Sequence, residues 1–331
     1  MHVAVIGGTN HIGPFIVAEL VAAGHQVSVY NRGRTQADLP DEVERVVVDR
    51  KVRGQLGEAL SQRQPDAVID MIAFVVEDVE EVVRALPSLR HYVFCGSTVI
   101  YGIIGNTTPS ETSPIEPDSA YGHGKVACEQ FMLQEQQERG LRFTSLRLAH
   151  PYGPGDHLLY LTGRESLFLD RMRKGRPVII PGDGTSRMHP IYAGDAGRAF
   201  VYVLERSDCM GQMINLSGDQ ILTLDEYYES LARVLGVPLV ASKIPHEWFR
   251  DHKELWSQWD RNFDFGFNWV HYESAFDVSA LQAIGFRCQT DHDAGVALMM
   301  EWLDAKNLVA PSSDQDEEDR ILEYLSQGVD P

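Results

Sequence analysis

Cysteine is scarce and scattered. Cys95, Cys128, Cys209 and Cys288 are the only four among 331 residues, and no two stand at a C-x-x-C spacing. That excludes a disulfide-stapled scaffold and a zinc site built on paired thiolates, and no metal is expected. Positive charge is also short, with 29 Lys and Arg against 48 Asp and Glu and a formal net charge of −19. Proteins that grip nucleic acid or an anionic membrane need a basic face, so neither partner is expected; a local basic pocket for a phosphorylated small molecule stays open. No apolar run is long enough to cross a bilayer. The chain opens directly into a strand-like run at residues 2–6, without the basic and apolar regions of a signal peptide, and a cytoplasmic location is the expectation. Gly (28) and Pro (16) are ordinary in number, which excludes collagen-like and wholly disordered chains. The length suffices for one large or two interlocked domains with a sizeable core.

What is present is alternation. Strand-like runs at 2–6, 26–30, 45–48, 67–71, 91–95 and 142–148 are separated by helical patterns at 11–23, 75–86 and 121–139. Strands alternating with helices predict parallel β-α-β units and a doubly wound α/β sheet. After Pro151 the texture changes to Pro- and Gly-punctuated chain, with a helix near 166–174, partly helical stretches at 191–204 and 223–235, a strand at 213–216 and a last helix at 294–303. Residues 248–276 hold ten of the 30 aromatic residues, four of the five Trp among them. They read as the core of a small second domain, or as the lining of a substrate pocket. From Pro311 to Pro331 there are seven acids and one base, Arg320, which reads as a solvated, partly disordered tail.

The first segment with chemistry in it is Gly7-Gly8-Thr9-Asn10-His11-Ile12-Gly13, between a strand and a helix. Gly7 permits a tight turn, Gly13 lets the helix pack close to the strand, and the helix start offers free N–H groups to a pyrophosphate. An acid at the end of the second strand would bind ribose hydroxyls and favour NAD. Here the strand runs into Asn31-Arg32-Gly33-Arg34, with no acid and two guanidinium groups where a 2′-phosphate would lie. Arg32 and Arg34 tilt the cofactor expectation from NAD towards NADP. The other reading is an exposed loop, or Arg32 stacked on adenine in an NAD site.

Tyr121-Gly-His-Gly-Lys125 places a phenol and an ammonium four residues apart on one helix face. A phenol titrating near 10 is a poor base at neutral pH, and an adjacent ammonium stabilises its phenolate. His123, between them, points to another face and reads as structural.

Together these motifs resemble the extended short-chain dehydrogenase/reductases, the NAD-dependent epimerase/dehydratase family. Further landmarks are the strand His91-Tyr-Val-Phe-Cys95-Gly96-Ser97-Thr98-Val99-Ile100-Tyr101-Gly102, the stretch Arg147-Leu-Ala-His150-Pro-Tyr-Gly153 and the turn Pro181-Gly-Asp-Gly184. The resemblance implies a Rossmann doubly wound parallel sheet with a smaller C-terminal α/β substrate domain. Residues 1–155 plus about 188–216 would form the dinucleotide-binding domain, about 156–187 plus 217–310 the substrate domain, and 311–331 the acidic tail. It implies catalytic roles for Ser97, Tyr121 and Lys125, with Thr98 as the alternative to Ser97, adenine or dinucleotide contacts at Asp49, Arg50, Met71 and Ala73, and cofactor contacts also at Tyr121 and Lys125, with Lys125 on the nicotinamide ribose. Ser97, Thr98, His150 and Arg187 are the implied substrate-binding positions, the substrate being a sugar nucleotide or related polyol. A homodimer paired through 75–86 and 121–139 is also implied.

Departures from the family pattern narrow the reaction. Asn10 replaces a Gly. Thr98 and Val99 stand where dehydratases carry an Asp-Glu pair, so water elimination is not expected, leaving epimerisation or simple redox chemistry through a keto species. His150 replaces the Asn of UDP-sugar epimerases and reads more readily as a packed histidine than as a second acid/base. The diphosphate-binding Arg aligns with Met188, one residue beyond Arg187. The alternatives are an NADP(H)-dependent carbonyl reductase and, more distantly, a noncatalytic RNA binder, because the Gly-Gly-Thr loop and Asn-Arg-Gly-Arg also resemble chloroplast stem-loop RNA-binding relatives. The intact Ser97, Tyr121 and Lys125 and the negative charge oppose the last.

Overall fold

The computed structural model describes residues 1–156, 158–160, 163–252, 273–314 and 316–326. Its centre is a sheet of seven strands: β1 (His2–Ile6), β2 (Gln26–Asn31), β3 (Glu44–Val47), β4 (Ala67–Asp70), β5 (His91–Ser97), β6 (Phe143–Leu148) and β7 (Gln212–Leu216). All pair in parallel, in the order β7-β6-β5-β4-β1-β2-β3. The middle strands are covered on both faces, which is why β1, β4 and β5 read as unbroken apolar runs. Strand order reverses between β1 and β4, so a crevice opens beyond their carboxyl ends, and dinucleotides bind at such a point.

Helices α1 (Ile12–Ala22), α2 (Gln55–Arg63), α3 (Val76–Ala85) and α4 (Ala120–Arg139) follow the first strands. α2 has no counterpart in the sequence reading, because only Leu56, Ala59 and Leu60 are buried in it and its apolar period is weak. α2, α3 and α4 cover one face of the sheet. The other face is covered by α1 and by a helix that returns from the second half of the chain.

That second half supplies α5 (Leu167–Arg173), α6 (Ala193–Leu204), α7 (Leu224–Leu235), α8 (His246–Asp251), α9 (His292–Ala305) and α10 (Glu317–Ser326). α6 is the returning helix. It packs on α1 because Gly197 leaves room for Phe15: a Cβ there would come within 2.7 Å of the Phe15 Cβ. α5, α7, α8 and α9 form a separate apolar core around a small parallel pair, Val178–Pro181 with Ala241–Ile244. This is the smaller C-terminal α/β region. Of the aromatic-rich 248–276 stretch, residues 253–272 lie outside the described residues; Trp248, Phe249 and Phe276 are buried. No helix among the described residues is long and apolar enough to cross a membrane.

The acidic tail corrects an expectation. It is packed rather than solvated through most of its described length. Ile321 is buried in the second core, and Asp316, Glu318 and Asp319 converge on the buried guanidinium of Arg171, with Arg176 also pairing to Asp316 and Asp319. Along the sequence these acids only repel one another. Their neutralising partner, Arg171, lies 145 residues before Asp316 and 148 before Asp319, where a linear reading does not connect it.

Candidate active site

The crevice is built on the turn between β1 and α1. Gly7 has φ +90° and donates its N–H to Tyr30 O at 3.0 Å. A Cβ on Gly13 would lie 2.6 Å from the Gly8 carbonyl carbon, so only glycine lets α1 start so close to β1. α1 has no side-chain cap and no acid in its first turn, which leaves the helix start open to an anion. A cavity of about 460 Å³ runs from Gly7, Thr9 and Asn10 past Ile72 and Phe74 to Asn31, Arg32, Arg34, Asp49, Lys51 and Arg53.

Other expected contacts stand behind this cavity. Gly8, Ile12 and Gly13 serve the packing of the turn and helix. The His11 ring reaches Asp156, Nδ1 to Oδ2 at 3.4 Å, and Gly155 packs against its backbone. Met71 packs against the sheet core. Arg50 reaches the cavity wall, but its guanidinium forms two hydrogen bonds to fully buried Asp70, at 2.8 and 3.1 Å, and a third to Asp78 O at 3.0 Å. Asp70 also accepts from the Tyr92 hydroxyl at 2.8 Å. Asp70 raises the Arg50 pKa against the effect of burial, and burial raises that of Tyr92. Arg50 therefore braces the wall. Arg32 and Arg34 are exposed and make no ion pair among the described residues, as is true of Lys51, which the sequence reading did not single out.

At the other end of the crevice β5 and α4 bring the expected catalytic residues together. Ser119 caps α4 by accepting from Gly122 N at 3.1 Å, which starts the helix just before Tyr121. Lys125 is buried, and its Nζ donates to Ala73 O at 2.8 Å and Cys95 O at 2.7 Å. Burial lowers its pKa, while Cys95 and Asp70 act in the opposite sense. Tyr121 is 43% exposed, yet the protein around its phenol displaces enough water to raise the pKa. Cys95 adds to that rise and a hydrogen bond with Ser97 lowers it. The Ser97 hydroxyl therefore lies near the Tyr121 phenol. Thr98 is buried and donates to Leu148 O at 3.4 Å, away from it. His123 is exposed, on the opposite side of the helix from Lys125.

Of the expected substrate positions, His150 is buried beside Phe276, with ring centroids 6.3 Å apart, and has φ +37°. Phe276 also stacks on Tyr101 at 6.0 Å. Arg187 donates from Nε to Glu273 at 2.6 Å, so its charge is already met by a carboxylate. Beneath Ser97 lies a buried ion pair, Arg147 with Glu129, joined at 2.8 and 3.1 Å. Phe74 was not anticipated either. It lines the cavity and lies 5.9 Å from the Tyr121 ring and 4.9 Å from the Lys125 ammonium. Gly124 is the sequence trace of that approach: a Cβ there would sit 2.2 Å from Phe74 O.

A seven-stranded parallel sheet with a Gly-rich turn at its switch point, and a Ser-Tyr-Lys set carried by β5 and α4, define an extended short-chain dehydrogenase/reductase. The chain belongs to the NAD-dependent epimerase/dehydratase family, whose model matches residues 3–217. It is similar to 2'-dehydrokanamycin reductase of Streptomyces kanamyceticus, 28% identical over 272 residues that cover 80% of this chain and 77% of the relative. It is also similar to the chloroplast stem-loop binding protein of 41 kDa b of Arabidopsis thaliana, 28% identical over 249 residues, 71% of this chain and 64% of the relative. Among solved structures it is similar to the UDP-glucose 4-epimerase of Thermotoga maritima with UDP-glucose, with a TM-score of 0.74 and 20% identity, covering 93% of this chain and all of that one. At that identity the likeness establishes a shared fold.

Proposed function

We propose that the protein moves a hydride between a nicotinamide dinucleotide and a secondary alcohol of a sugar nucleotide or related polyol. It would act either as an epimerase passing through a transient ketone or as an oxidoreductase with net turnover. The observation that carries this is the meeting of Tyr121, Ser97 and Lys125 next to Phe74, a wall residue of the cavity that starts at the Gly7–Gly13 turn. The residues fit a dinucleotide: an uncapped helix start for the pyrophosphate, and Arg32, Arg34 and Lys51 at the adenosine end. When bound, the nicotinamide supplies the hydride acceptor and donor. The Lys125 charge favours phenolate at Tyr121. Tyr121 takes the alcohol proton as the ketone forms and returns it in the reverse direction, and the Ser97 hydroxyl hydrogen-bonds the same substrate oxygen. No carboxylate follows Ser97, which supports redox or epimerisation over dehydration.

Two observations favour the reductase version. Arg187, the cation nearest the expected diphosphate position, is engaged by Glu273, and Arg32 with Arg34 forms a cationic end suited to a 2′-phosphate. The relatives' names cover both versions, a 2'-dehydrokanamycin reductase and a UDP-glucose 4-epimerase.

The test is to supply NADH or NADPH with keto-sugars, free and nucleotide-linked, and follow the absorbance of the reduced cofactor. Steady consumption of NADPH is the expected result. Interconversion of sugars without net consumption would select the epimerase, and failure to bind either dinucleotide would end the proposal. In the same assay the double substitution Arg32→Ala/Arg34→Ala should weaken NADPH relative to NADH by about 10- to 100-fold, the worth of one or two charge-assisted hydrogen bonds. An unchanged ratio would assign both arginines to the solvated loop.

A further inference from the structure

The Lys125 ammonium is enclosed in an unusual way for a buried charge. Only 1% of the residue is exposed, and its hydrogen-bond acceptors are two backbone carbonyls, those of Ala73 and Cys95. The remaining sides are aromatic: Nζ lies 4.8 Å from the ring centroid of Phe94, 4.9 Å from Phe74 and 5.4 Å from Tyr121. A ring face attracts a cation through its quadrupole, and the attraction grows when water is excluded. Phe94 is fully buried and Tyr121 carries the phenol, whereas Phe74 is 46% exposed and lies in the loop between β4 and α3.

We infer that Phe74 is a positioning residue of the site: its ring closes an aromatic cage that keeps the Lys125 ammonium charged while water is excluded, and it braces the Tyr121 ring from the side. The inference rests for its catalytic consequence on the hydride-transfer reading, but the cage itself does not. The loop is held for this purpose at two points. Phe74 N donates to Asp78 Oδ2 at 3.0 Å, and Phe74 O fills the space that any side chain at Gly124 would need.

The charged and titratable groups around Lys125 do not replace the ring. Asp70 on β4 favours the ammonium, but its carboxylate is paired with Arg50, which opposes it. Cys95 on β5 and Cys128 on α4 are buried thiols whose own pKa values are raised by burial, so both stay neutral at physiological pH. Tyr121 is the remaining neighbour, and its phenol too is raised.

The test reads Lys125 directly and needs no substrate. Lysine is rare in this chain, so ¹³Cε-labelled lysine gives a sparse NMR spectrum, and Lys125→Arg identifies the resonance. Phe74→Leu, which keeps an apolar cover without a ring face, should move the Lys125 midpoint to lower pH by about half to one unit. Phe74→Trp, which restores a ring, should leave the midpoint at or above the parent value. Superimposable titrations of the parent and Phe74→Leu would overturn the inference. Should Phe74→Leu fail to fold, a Phe74→Trp midpoint below the parent would overturn it equally. Loss of the hydride-transfer reading would appear elsewhere, as full turnover in Tyr121→Phe, and would leave these midpoints unchanged.

Discussion

Tyr121→Phe should lower kcat by about 10²- to 10⁴-fold, the usual worth of a positioned proton donor and acceptor, while dinucleotide affinity stays within a few-fold of the parent. The two readouts separate because Tyr121 does not line the dinucleotide cavity, and because phenylalanine keeps the ring face that Tyr121 turns to Lys125. Steady-state turnover on whichever substrate the parent accepts, with fluorescence titration of the reduced cofactor, measures both. Turnover within tenfold of the parent would remove Tyr121 from the chemistry. The sign of a companion effect follows from the surroundings of the phenol. Protein packing and Cys95 raise its pKa and the Ser97 hydrogen bond lowers it. Ser97→Ala should therefore push the phenol higher still. In the alcohol-oxidising direction, which needs phenolate, the rising limb of the pH–rate profile moves to higher pH, and part of the lost activity returns as the medium is made more alkaline.

Arg147→Met should destabilise the fold by about 3–5 kcal/mol, because it strands a buried carboxylate without its cation. Arg147 is 1% exposed, and Glu129, its partner across α4 and β6, is 3% exposed. The guanidinium also donates to Tyr101 Oη at 2.9 Å, Tyr101 donates on to Asn215 at 2.8 Å, and Asn215 donates to the carbonyls of Pro109 and Asp277 at 3.1 and 3.0 Å. Ser145 donates at 2.6 Å to Glu129 Oε1, the oxygen that also accepts from Arg147 Nε. The pair thus joins the strand beneath Ser97 to the turn that carries Tyr101 and to β7. The double variant Arg147→Met/Glu129→Leu removes both charges and should recover most of the loss, since an apolar pair of similar volume commonly matches a buried ion pair. Denaturant unfolding of the three proteins decides it. A single variant within about 1 kcal/mol of the parent would mean that water reaches Glu129, contrary to its burial.

The sheet was legible because its strands lie in the middle of a doubly wound layer. β1, β4 and β5 are covered on both faces and so could only be runs of apolar residues. Helix α2 was not legible, since three buried positions give too little period to distinguish it from a loop. In the site, the Gly7–Gly13 turn and the Tyr121–Lys125 spacing were legible for a shared reason: each is local, within one turn or one helix, and its geometry follows from sequence separation alone. The sequence reading took the acidic tail as solvent-exposed, and left the pairing of Arg50 at the cavity wall unseen, because it could not count partners. Arg50 is committed to Asp70, 20 residues away, and the tail's carboxylates to Arg171.

What the sequence by itself determined is therefore the doubly wound class, the Gly7–Gly13 turn and the placing of Tyr121 and Lys125 on one helix, because backbone periodicity and glycine's missing Cβ act over a few residues. The tertiary structure decided which charges are free. It set Arg32 and Arg34 apart from Arg50, tied Arg187 to Glu273, turned Thr98 to Leu148 and closed Phe74 over Lys125. Each of these depends on groups brought together by the packing of separate elements. Coulomb and cation–π energies fall off with distance in space, and distance along the chain carries no record of it.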